Sequence, residues 1–243
     1  MDKAALQAFR SQICSMEKAL VTMRAYMDQQ IQDAPFDADA QDFIGPVENA
    51  LESLLTRFSP DVAEREVRAY EEITRGVCVG FSSDAGFFTC KVKTDTYHDD
   101  SNTEDPTAGT SCLLIFPSID PEHELTYFTL ETDVSIDALR EINNMTLDFV
   151  PAFSASSDEL VGNFSMYLRL YFPDSRHEDY HHKSYPALGI PLVFSYHIED
   201  AQYESLPLAD AIGARIIINL PRATSELNRI LVSSFSMTGV RVW

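Results

Sequence analysis

Any chemistry in this chain has to come from its histidines and carboxylates, because the other familiar devices are missing from the sequence. One run, His177-Glu178-Asp179-Tyr180-His181, fits the pattern HExxH, and His182 follows it directly. Imidazole nitrogens with a carboxylate between them are ligands of the kind zinc takes. A second group, Asp99, Asp100, Glu104 and Asp105, offers the hard oxygens that calcium prefers, but without the spacing or the glycine of an EF-hand loop. His98 and His123 stand singly beside acidic residues and read as surface histidines. There is no GxGxxG or GxxxxGK[ST] loop to cradle a phosphate and no GxSxG elbow to present a nucleophile. Scattered serines and aspartates permit a hydrolytic triad, but their spacing does not assemble one.

The HExxH run resembles the zinc-binding motif of metallopeptidases. The resemblance implies a helix on which His177 and His181 ligate the metal and Glu178 acts as base on a metal-bound water. It also requires a third ligand downstream, for which Glu199 is the nearest candidate. The likeness covers five residues of 243. Its surroundings differ from the motif's usual setting. Tyr180 is the only apolar flank, and Pro173 and Pro186 bracket the run, leaving room for about three helical turns. A solvated polar loop over 173–186 is the competing reading, with metal bound by the histidines adventitiously or for structure as a further one.

The elements that would position these groups fall into two kinds. Leu6, Phe9, Ile13, Met16, Leu20, Met23 and Met27 step by three and four residues, predicting one long helix over 2–32 with an apolar, methionine-rich stripe. Its flanks carry no pairing code. The stripe therefore serves either an intramolecular bundle or an interface, including self-association through this helix. A second helix is predicted after Pro46, along Val47, Leu51, Leu54 and Leu55, and a third from Ser59-Pro60 to Gly76. From residue 77 the period changes to two. The best-marked strand alternates Phe164, Met166, Leu168, Leu170 and Phe172 with Ser165, Tyr167, Arg169 and Tyr171. Two helices are expected among the strands, one capped by Ser135 and one from Thr224 to about Phe235. The predicted fold class is α+β: a helical segment over 1–75 docked on a mainly antiparallel sheet domain over 76–243.

Composition bounds what this architecture can do. The chain is globular in its 45% apolar content and strongly acidic, with a net charge of −20. Residues 76–150 alone carry a net −11. Such a field repels phosphate backbones and argues against nucleic-acid binding. It favours a basic protein partner. No apolar run is long enough to span a bilayer, and we read no secretory signal. Four scattered cysteines read as reduced thiols, so a cytoplasmic location is expected. The leading functional reading is a non-enzymatic, acidic protein-binding module of the immunity, inhibitor, chaperone or assembly-adaptor type, with no cofactor. Its alternatives are a zinc-dependent hydrolase using 177–181 and a structural subunit docked through helix one.

Overall fold

A computed structural model describes residues 43–57, 64–82, 88–97, 110–120, 122–123, 125–155, 162–221 and 227–241, all within one unit, Asp42–Trp243. The stripe from Leu6 to Met27, the acidic group at 99–105 and His98 lie outside these residues.

Two antiparallel sheets face one another. In the first, β11 (Phe194–Ile198), β8 (Met145–Ala155), β13 (Leu227–Arg241), β6 (Thr110–Ile119), β5 (Phe88–Tyr97) and β2 (Arg65–Val67) lie in that order. The short β1 (Phe43–Pro46) pairs with the far end of β13. In the second, the order is β10 (His177–Pro186), β9 (Asn163–Tyr171), β12 (Gly213–Asn219), β7 (Phe128–Val134), β4 (Val77–Phe81) and β3 (Glu72–Thr74). Three short helices complete the described residues: α1 (Ala50–Arg57), α2 (Ile136–Arg140) and α3 (Asp200–Glu204).

Alternation sets the layers. Phe164, Met166, Leu168 and Leu170 of β9, and Ala214, Ile216 and Ile218 of β12, point into one core with Met145, Leu147, Phe149 and Phe153 of β8. Aromatic rings bridge the sheets edge to face. Phe149 meets Phe164 of the facing sheet at 5.8 Å and Phe235 of its own sheet at 6.1 Å between centroids, the geometry their quadrupoles favour. Helix α1 lays Leu51, Leu54 and Leu55 on the same core, and its Leu51 N–H donates to Thr132 Oγ1 at 2.9 Å. The Ser135 hydroxyl caps α2, accepting from the Ala138 N–H at 3.2 Å.

The α+β expectation is therefore corrected: the described chain is a β-sandwich with little helix. The third predicted helix is instead two strands. β2 pairs with β5 at the edge of the first sheet and β3 with β4 at the edge of the second, so residues 65–74 pass from one sheet to the other. From Leu227 onward the predicted last helix is instead the first part of β13, a strand of 15 residues. Its register shifts between Leu227 and Arg229 and between Val232 and Ser234. The buried set becomes Leu227, Ile230, Val232, Phe235 and Met237, a spacing of three, two, three and two that imitates a helical stripe. The polar stretch expected as a loop or short helix is β10. Among the described residues it is an edge strand, paired only with β9. Charged side chains suit such an edge because they discourage further pairing.

Candidate functional site

The outward side chains of the second sheet form rows fixed by strand register. One row reads Asp179, Arg169, Arg215, Asp133 across β10, β9, β12 and β7. Two arginines side by side repel, so each needs its own acid. Arg169 forks onto Asp179, Nε to Oδ1 at 2.6 Å and an Nη to Oδ2 at 2.9 Å. Arg215 donates through Nε to Asp133 at 2.7 Å and through Nη1 to Glu131 at 2.9 Å. Glu131 is only 3% exposed and also accepts the Thr129 hydroxyl at 2.9 Å. The Asp179 carboxyl is pushed up by partial burial, but the hydrogen bond and charge of Arg169 outweigh this and hold it below the usual carboxylate range.

Tyrosines frame this row. Tyr171 and Tyr167 stand two residues to either side of Arg169 on β9, and burial raises both phenols, so they remain neutral hydroxyls. The Arg169 guanidinium lies 5.7 Å from the Tyr167 ring centre and that of Arg215 lies 5.9 Å from Tyr171. β10 adds an imidazole to each: His182 stacks on Tyr167 at 4.1 Å, and His177 tilts against Tyr171 at 6.1 Å. Beside Tyr171, a groove of about 440 Å³ is lined by Asp133, Ile136, Ile212, Gly213 and Arg215. Gly213 sits opposite Tyr171 in register. With no side chain there, the groove stays open next to the phenol ring.

A second pair of rings stands over the other end of the face. The link from β2 to β3 folds onto the sheet, its Tyr70 N–H donating to the Val79 carbonyl at 2.8 Å. Tyr70 adopts φ +61°, a backbone region unfavourable to a bulky side chain. Its ring lies over Gly80, where an added Cβ would come within 2.8 Å of it and 2.4 Å of Thr129 Oγ1. Partial burial, a hydrogen bond with Tyr127 and the charge of Glu131 all raise the Tyr70 phenol. The Tyr70 and Tyr127 rings are 6.3 Å apart, and both are exposed.

The predicted metal residues are separated. His177 and His181 lie on strand β10, not on a helix. The register breaks between Tyr180 and Lys183, and His181 has φ +55°. Glu178 binds Arg176 Nη1 at 2.7 Å and accepts the Tyr180 hydroxyl. Glu199 belongs to the other sheet's side, leading into α3 beside His197. Among the described residues, no three histidine, cysteine or acidic side chains are grouped to hold a metal. Sequence reasoning missed the tyrosine–arginine face altogether. Its signal was present in the outward half of the β9 alternation, Tyr167, Arg169 and Tyr171. That half reads as a solvent face until Arg215 and Asp133 arrive beside it from strands distant in sequence.

No protein-family model matches the sequence, and no curated protein is significantly similar to it. Among solved structures, the chain is similar to the enzymatically active domain of tailspike protein 4 of bacteriophage CBA120, at 9% identity and a TM-score of 0.41. That match covers 68% of this chain, which spans only 19% of the tailspike chain. It is also similar to the CBM22-1 xylan-binding domain of Xyn10C from Paenibacillus barcinonensis, at 10% identity and a TM-score of 0.40, covering 76% of this chain and 100% of that one. A third is the C-terminal family 22 carbohydrate-binding module of Xyn10B from Clostridium thermocellum, at 10% identity and a TM-score of 0.38, covering 66% and 91%. These are likenesses of strand arrangement. The protein-binding expectation rested on the acidic charge, the methionine-rich stripe and the missing catalytic signatures; the described chain is β-rich and lends it no support. Among the described residues no helix is long and apolar enough to cross a membrane.

Proposed function

We propose that the sandwich is a non-enzymatic binding domain and that the outer face of its second sheet holds a neutral polyhydroxylated ligand, a carbohydrate. The observation behind this reading is the row of two arginines, each neutralised by its own carboxylates, set between tyrosine rings. A sugar ring has apolar C–H faces and a rim of hydroxyls. Tyrosine offers a flat apolar surface with a polar tip. A carboxylate carries about four lone-pair sites, and the arginines use only part of them, leaving acceptors for ligand hydroxyls. Two guanidiniums held by three carboxylates leave no spare positive charge, which favours an uncharged polar ligand over an anion. The ion pairs also fix the side chains before binding, which lowers the ordering cost. Asp179 is held ionised, so it serves as an acceptor and not as a general acid.

Native gel electrophoresis of the full chain through a panel of soluble polysaccharides tests the reading. The expected result is retardation in at least one gel, lost in Tyr171→Ala and kept in Asp148→Ala, whose side chain faces out from the first sheet. Free migration in every gel, or equal retardation of Tyr171→Ala, overturns it.

A further inference from the structure

We infer that the ligand is an extended linear chain of several sugar units, lying diagonally across the second sheet from the Tyr171 groove to the Tyr70–Tyr127 pair. This rests on the carbohydrate reading above and narrows it. Two aromatic platforms carry the argument. Tyr171 opposes Gly213, and six residues further along the same strands Ser165 opposes Asn219, which opposes Thr129, which opposes Gly80 beneath Tyr70. Six residues of strand cover about 20 Å, and three strand spacings add about 14 Å sideways. The backbone positions of Tyr171 and of Gly80 beneath Tyr70 therefore stand roughly 24 Å apart on the diagonal, far more than one sugar ring reaches.

Between them the diagonal crosses Arg215 and then the buried Glu131, with Ile217 buried beside them on the same face. Arg169 and Arg215 lie next to the groove, and the stacked Tyr167 and His182 rings stand to one side of the line. The Tyr70 platform is also maintained at a local cost. A tyrosine at φ +61° is unfavourable, and the strand beneath it must carry a glycine. Tyr70 remains 50% exposed and Tyr127 36%, so core burial does not repay that cost. Strain held to present an exposed ring points to a contact the ring makes with something outside the chain.

Calorimetric titration of the full chain with xylo- and gluco-oligosaccharides of one to six units tests the inference. The expected result is an affinity that climbs steeply with length through at least four units. Tyr127→Ala should weaken the hexamer at least tenfold while leaving the disaccharide within twofold, and Tyr171→Ala should weaken both. Tyr127→Phe, which keeps the ring, should restore most of the hexamer affinity, and unchanged circular dichroism identifies each variant as folded. Affinity that is flat from the disaccharide upward, or a hexamer indifferent to Tyr127→Ala, overturns the extended chain while leaving carbohydrate binding intact. No binding at any length overturns both.

Discussion

The two sheets are alike inside and unlike outside. Inward, each alternates large apolar side chains into one shared core. Outward, the first sheet carries short polar pairs: Asp148 with the Ser195 hydroxyl at 2.6 Å, Thr146 with His197 at 2.9 Å, and Ser154 with Arg229 at 3.2 Å. It also carries a small apolar cluster of Cys112, Leu114, Ala152 and Leu231. The second sheet carries arginines, tyrosines and a buried glutamate. Folding a sandwich requires only the inward pattern. The difference between the two outward patterns is the ground on which the second face is proposed as the binding face.

The sharpest way to break the comparison is at Arg215. Arg215→Met leaves Glu131 buried without its cation, which should cost about 3–5 kcal/mol. The double variant Arg215→Met, Glu131→Gln should recover much of that loss. Asp148→Ala on the first sheet should stay within about 0.5 kcal/mol of the parent. Urea midpoints of the four proteins check this, and equal effects at Arg215 and Asp148 would erase the distinction between the faces.

Gly80→Ala is expected to be intermediate, about 1–3 kcal/mol, because the new methyl meets Thr129 and the Tyr70 ring. The ring should move, and Tyr70 and Tyr127 NMR signals should shift together while Phe149 signals hold. The smallest effect concerns acid. Because Arg169 holds the Asp179 carboxyl low in the fold, the ion pair's stabilisation is present above the unfolded carboxyl value of about 4 and is lost as pH falls through the lower folded value. Partial exposure keeps it below about 1 kcal/mol. Urea midpoints of wild type and Asp179→Asn should differ slightly at pH 7 and converge in strong acid.

Strands whose alternation is unbroken were legible in the sequence. Val77, Val79 and Phe81 line one face of β4, and Phe164 to Leu170 one face of β9. The Ser135 cap of α2 was legible as well. The failures share a cause. In β13, two bulges convert a period of two into a mixture that matches a helix. In β10, one flank is free and one face is wet, so strand formation depends on β9 and leaves little apolar trace. At 65–74, five of ten residues are charged, and pairing comes from the strands on either side. The site was less legible still. Arg169 and Arg215 are adjacent in space but 46 positions apart in the chain, and only register puts Asp179 and Asp133 at their flanks. The HExxH run lies on a strand that borders this face: His177 and Asp179 stand there as companions of Tyr171 and Arg169.

The long strand β13 has a kinetic consequence. It lies against β8 along one edge and against β6 and then β1 along the other, so it joins segments as distant as residues 43 and 241. Until residues 227–241 leave the ribosome, the first sheet is in two pieces and the core has one open wall. Nearly every strand pairing made earlier must wait, exposed, for the last. Such long-range closure slows folding and lengthens exposure to aggregation. During that interval an acidic surface that repels other copies of the chain is an advantage that the finished sandwich no longer needs.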